Sequence, residues 1–136
     1  MAGTYPVTQL GPDTYEVSAT VTGGQVLMVD GSTGKVKPST GVLSAIVGVA
    51  LTDAVPAGSG SNLAFGTAPK TVSVAYGPAT VKCTAAGAIA FGALVTSAAS
   101  GQVATIGAGT FDQVIGKCVE PGGISSAGVG RIRLYA

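Results

Sequence analysis

Ile46-Val47-Gly48-Val49-Ala50-Leu51 reads as a short apolar strand interrupted by one glycine, and it returns about half a chain later as Val114-Ile115-Gly116-Lys117-Cys118-Val119. Upstream, Thr22-Gly23-Gly24-Gln25-Val26-Leu27 is answered by Ala90-Phe91-Gly92-Ala93-Leu94-Val95, and Gly34-Lys35-Val36 by Gly101-Gln102-Val103. The order is kept, and so is the spacing at both ends of the unit, with a single residue lost in the middle turn. The match is therefore a repeated supersecondary unit running over Val21–Leu51 and Ile89–Val119. A duplicated β unit in a short chain predicts a closed scaffold more than an active site.

Period-two alternation extends outward from both copies, and helical spacing is hard to find. The chain reads as all-β. In the first predicted strand Tyr15, Val17, Ala19 and Val21 share one face, with Glu16, Ser18 and Thr20 on the other. Further strands are predicted at Val26–Val29, Lys35–Lys37, Ile46–Leu51, Thr71–Tyr76, Thr80–Thr84, Ala93–Thr96, Gln102–Ile106, Gln113–Val119 and Arg131–Tyr135. Ile46–Leu51 and Val114–Val119 are more continuously apolar, as central strands buried on both sides would be. In the last strand Ile132 and Leu134 point one way, and Arg131, Arg133 and Tyr135 the other. Asp30-Gly31-Ser32-Thr33-Gly34 and Ala99-Ser100-Gly101 supply the positive-φ glycines of equivalent hairpin turns. Many short strands with regular glycine turns predict a small β-barrel or sandwich.

A chain of 136 residues is one domain by size. Charged residues make up 10% of it, against about 25% in ordinary soluble domains, and 46% are hydrophobic, too many for a disordered chain. Such a neutral, apolar chain spans a membrane or hides surface in an assembly. The longest apolar run, Ala85–Val95, is interrupted by Gly87 and Gly92 and falls short of the ~20 residues of a spanning helix. Few aromatics and no tryptophan argue against an outer-membrane barrel. Assembly is the expectation, with no membrane partner. Net charge of +1 and no run of Lys or Arg in the sequence give no footprint for nucleic acid. Met1–Pro6 shows no secretion signal, which predicts cytoplasmic synthesis. Cys83 and Cys118 fit strand patterns as buried small hydrophobes, although they could also face each other across a barrel.

Two stretches stand outside the repeat. Residues 53–70, with Ala57-Gly58-Ser59-Gly60-Ser61-Asn62, predict an exposed flexible loop. Residues 1–14, with Pro6, Gly11 and Pro12, predict an extended N-terminal arm ahead of a single domain at 15–136. Such an arm either pairs with a neighbouring subunit or frays.

Catalytic chemistry has little to work with. There is no histidine, which removes Ser-His-Asp and Cys-His nucleophile activation and the commonest transition-metal ligand. The six carboxylates, Asp13, Glu16, Asp30, Asp53, Asp112 and Glu120, are scattered singly, without calcium-loop spacing. Gly31-Ser32-Thr33-Gly34-Lys35 lacks the first glycine, the terminal Ser/Thr and the following helix of a phosphate-binding loop, so it reads as a hairpin turn. No enzymatic activity, metal or cofactor is expected.

The segments Val21-Thr-Gly-Gly-Gln-Val-Leu27 through Gly34-Lys-Val-Lys-Pro38, Ile46–Ala54, Val81–Val95 and Val114–Val119 together resemble the capsid cement, or head decoration, proteins of tailed double-stranded DNA bacteriophages. The resemblance covers most of residues 15–135. It implies a barrel-like subunit on the capsid exterior of the virion, assembled in the host cytoplasm, often as a homotrimer, touching the major capsid protein. Within that reading Tyr5, Pro6, Val7, Leu10 and Tyr15 are the expected capsid or subunit contacts. Two alternatives stay open: another virion component, such as a fibre-base or shell protein, and a small-ligand-binding β-barrel.

Overall fold

Gly48 and Gly116 mark the same place in two strands, and each is held there by crowding. A Cβ on Gly48 would collide with the carbonyl oxygen of Ala75, and one on Gly116 with the carbonyl oxygen of Arg133. The computed structural model describes residues 12–42, 45–58, 62–63, 66–67, 69–107 and 111–135. Its strands are β1 (Asp13–Glu16), β2 (Val26–Asp30), β3 (Lys35–Pro38), β4 (Ile46–Ala50), β5 (Asn62–Leu63), β6 (Gly66–Thr67), β7 (Thr71–Ala75), β8 (Ala79–Thr84), β9 (Leu94–Ser97), β10 (Val103–Thr105), β11 (Gly116–Cys118) and β12 (Val129–Leu134).

The strands form two five-stranded antiparallel sheets, ordered β1-β7-β4-β2-β3 and β8-β12-β11-β9-β10, with β5-β6 as a separate hairpin. The two orders match strand for strand, and so do the registers. Asp13 pairs with Val74 as Val81 pairs with Ile132, and Glu16 pairs with Thr71 as Thr84 pairs with Val129. Beyond β1, Val17 bridges in parallel to Val36; beyond β8, Ala85 bridges in parallel to Val103. Each sheet thus curls until its two outer strands approach each other. The duplication extends past the repeated sequence to the flanking strands β1, β7, β8 and β12.

Alternation decides which face is dry. In β12 the burial pattern switches at every residue, with Ile132 and Leu134 inward and Arg131 and Arg133 outward. One core cluster, Val17, Val21, Leu27, Val36, Ala50, Ala54, Val72 and Val74, lies within the first half. The other gathers Val81, Cys83, Ala85, Ile89, Val95, Val103, Cys118, Ile124, Ile132 and Leu134 from the second half with Val26, Val49 and Ala75 from the first. Val26, Val49 and Ala75 share the face of the first sheet opposite to Leu27, Ala50 and Val74. The packing is therefore head to tail: the outer face of sheet one rests on the inner face of sheet two, as a small sandwich.

A hydrogen-bonded seam joins the halves where β2 and β3 meet the β9–β10 turn. Ser39 Oγ donates to the Ala98 carbonyl at 2.7 Å, and Ser97 Oγ to that of Gly41 at 2.8 Å. The Val26 amide donates to Gly101 and the Gly101 amide to Ser39. Ser39 and Ser97 are both buried, so these bonds satisfy groups that water does not reach.

Three local expectations need correction. The strand expected from Tyr15 to Val21 stops at Glu16; Ser18 and Ala19 form a bend, and Val17 and Val21 each make a single bridge. The stretch expected as a strand from Gln113 begins as a 3-10 turn at Phe111–Gln113, and only Gly116–Cys118 pair as β11. β4 and β11 are central, as their apolar sequences predict, but β11 is not buried on both sides, because Lys117 is exposed. The 53–70 loop carries the β5–β6 hairpin, and Ala54 at its start is buried. Of the expected arm, residues 1–11 lie outside the described residues, whereas Asp13 and Thr14 belong to β1. Among the described residues no helix is long and apolar enough to cross a membrane.

Candidate interaction surface

Among the described residues no three of His, Cys, Asp and Glu converge in a way that would hold a metal ion. Cys83 and Cys118 are free thiols, fully buried in the second core, and burial pushes the Cys83 thiol up to about 12. A thiol held protonated in an apolar core is a packing group, not a nucleophile. Among the described residues, two open clefts lie between the halves. One, of about 170 Å³, is walled by Ile46, Val49, Val114 and Leu134; the other, of about 230 Å³, by Leu51, Val81, Lys82 and Val129. Both are smaller than the ~300 Å³ at which pockets for small ligands begin.

Charge is distributed unevenly between the halves. In the first half Lys35 is paired with an acid, and Lys70 and Lys37 add smaller attractions to Glu16 and Asp30. Lys35 Nζ lies 3.0 Å from Glu16 Oε1, and hydrogen bonding and charge from Lys35, helped by Lys70, hold the Glu16 carboxyl below its ordinary value. Asp30 is drawn down to about 2 by hydrogen bonds from the Ser18 and Ser32 hydroxyls and the Ser32 amide, with a smaller pull from Lys37.

The second half differs. Arg131 pairs across strands with Lys82, and Arg133 with Lys117. Directly paired residues share a face, as do Arg131 and Arg133 two positions apart. Lys82, Lys117, Arg131 and Arg133 therefore stand together on the outer face of sheet two, all exposed. Among the described residues the ion pair on this face is Arg131 Nε to Glu120 Oε2, at 2.8 Å. Val129 and Tyr135 continue the outward row of β12 and are 60% and 50% exposed. Phe91, 63% exposed, precedes Gly92, over which the Lys117 side chain passes.

Of the contact residues expected from sequence, Tyr5, Pro6, Val7 and Leu10 lie outside the described residues. Tyr15 is on β1 opposite Val72, a core residue with no exposure, so its ring sits at the rim of the first core. Sequence reasoning missed the cationic face because its members are spread from residue 82 to residue 133. The outward pointing of Arg131 and Arg133 was legible in the alternation. Placing Lys82 and Lys117 beside them required the strand pairings.

No family model matches the chain, and no curated protein sequence does. Among solved structures, the head fiber gp8.5 N base of bacteriophage phi29 is similar over 91% of this chain and 92% of that one, with a TM-score of 0.66 and 16% sequence identity. The likeness is one of fold, from end to end.

Proposed function

We propose that this protein is a non-enzymatic structural component of a phage virion, carried on the outside of the head and bound to the major capsid protein. The observation that carries the reading is the near end-to-end fold likeness to a head fibre base, a body of matching size with little left over on either side. The resemblance to head decoration proteins points to the same location. Two stacked β units with small buried side chains make a rigid body, which is what a part repeated over a lattice needs: many modest contacts add up to large collective stabilisation. Between a cement protein and a fibre base, the fold likeness favours the base. The homotrimer and the arm contacts at Tyr5, Pro6, Val7, Leu10 and Tyr15 belong to this proposal.

Co-sedimentation with heads of the encoding phage that lack this protein tests it. Saturable binding at a fixed number of copies per head is expected. Folded protein that stays in the supernatant at every concentration would overturn the reading.

A further inference from the structure

The positions that bury sheet one against sheet two have counterparts on sheet two itself. Val26, Val49 and Ala75 correspond to Leu94, Lys117 and Arg133 in the matched registers. In the first half this face is covered. In the second half the same face is open to water, and lysine and arginine replace valine and alanine. Lys82 and Arg131, likewise, stand where the first half has Thr14 and Ser73. Like charges directly opposite each other on neighbouring strands are destabilising, so this arrangement works against the fold.

We infer that the outer face of sheet two, centred on Lys82, Lys117, Arg131 and Arg133, is a docking surface for an acidic patch on a partner protein. Of the chain's seven cations, these four share one face, while the net charge of the whole is only +1. A protein selected for nucleic acid would carry a broader positive field. Here the cations are bordered by exposed Val129, Tyr135 and Phe91, and arginine beside aromatic side chains is a combination enriched at protein interfaces. Arg131 and Arg133 are spaced by one strand repeat, about 6.6 Å, which matches carboxylates at alternate positions of an extended segment. Glu120 occupies one side of Arg131 and shows the geometry that an incoming carboxylate would adopt. The inference rests on the virion reading only for the identity of the partner.

The test compares the full chain with Lys117→Glu/Arg133→Glu, and with Lys37→Glu/Lys70→Glu as a control carrying the same change of charge in the first half. Binding is measured to an alternating Glu-Val octapeptide, to a 12-base-pair DNA duplex and to heads lacking the protein, each at about 50 and 300 mM salt. The wild-type protein and the control should bind the peptide, more weakly at high salt, and the Lys117/Arg133 variant should bind at least about tenfold more weakly. Head binding, where present, should fall in parallel. Equal binding of the Lys117/Arg133 variant and the wild type, or binding of the duplex without binding of the peptide, would overturn the inference. Wild-type binding to peptide but not to heads would leave this inference standing and remove the virion reading. Wild-type and variant binding equally to heads would do the reverse.

Discussion

Gly116 shows how one residue can carry a constraint that composition alone does not reveal. Its backbone lies against the Arg133 carbonyl and the Ile132 side chain, with no room for a methyl group. Gly116→Ala must push β11 away from β12 or break their pairing, at a cost of about 2 kcal/mol by analogy with overpacked cores. Chemical denaturation of the variant should show a lower midpoint with an unchanged slope. Gly48 meets the same obstacle at Ala75, so the glycine that repeats in the sequence repeats for a packing reason. That part of the sequence was informative because it recorded a close approach of two backbones. The charge of Lys117, the next residue, was equally visible but its neighbours were not, because the partners of an exposed strand residue depend on register.

The hairpin between β2 and β3 is an element whose stability should depend on pH. Asp30 accepts hydrogen bonds from Ser32 through both its hydroxyl and its amide, and Thr33 and Gly34 donate to the Asp30 carbonyl. The folded carboxyl titrates near 2 rather than its ordinary 3.8. Protons therefore bind the unfolded chain more readily, and the contribution is complete above about pH 4 and is lost as pH falls toward 2. Glu16, lowered by Lys35, adds loss in the same direction. Denaturant midpoints should be lower at pH 2.5 than at pH 4 or 7, and Asp30→Asn should narrow that difference; an unaltered pH profile in that variant would show that the turn carries none of it. Elements were largely legible from alternation and turn glycines, down to the paired turns at Gly34 and Gly101, where φ is +71° and +70°. Element ends were less so. Val17 and Val21 keep the apolar pattern of a strand while the chain between them bends, because a buried residue needs only to face the core and not to pair.

At the scale of the whole molecule, the halves are alike in topology but unequal in independence. Removing residues 77–136 would expose Val26, Val49 and Ala75, which are buried in the shared core. Residues 12–76 expressed alone should therefore be unfolded or self-associating, and co-expression with 77–136 should restore a soluble complex. Size-exclusion chromatography and circular dichroism of the fragment would show this, and a folded monomeric fragment would refute it. The sequence revealed that there were two units, but not that they stack in one direction, since the covering of one sheet by the next is a property of three dimensions. That direction has a further consequence. Units that stack head to tail form a one-dimensional array, and such arrays extend indefinitely unless the last member refuses an addition. With lysine and arginine where the first unit has valine and alanine, the outer face of the second unit works against stacking of a further copy. A tandem copy fused after residue 136 would find no apolar platform to grow on.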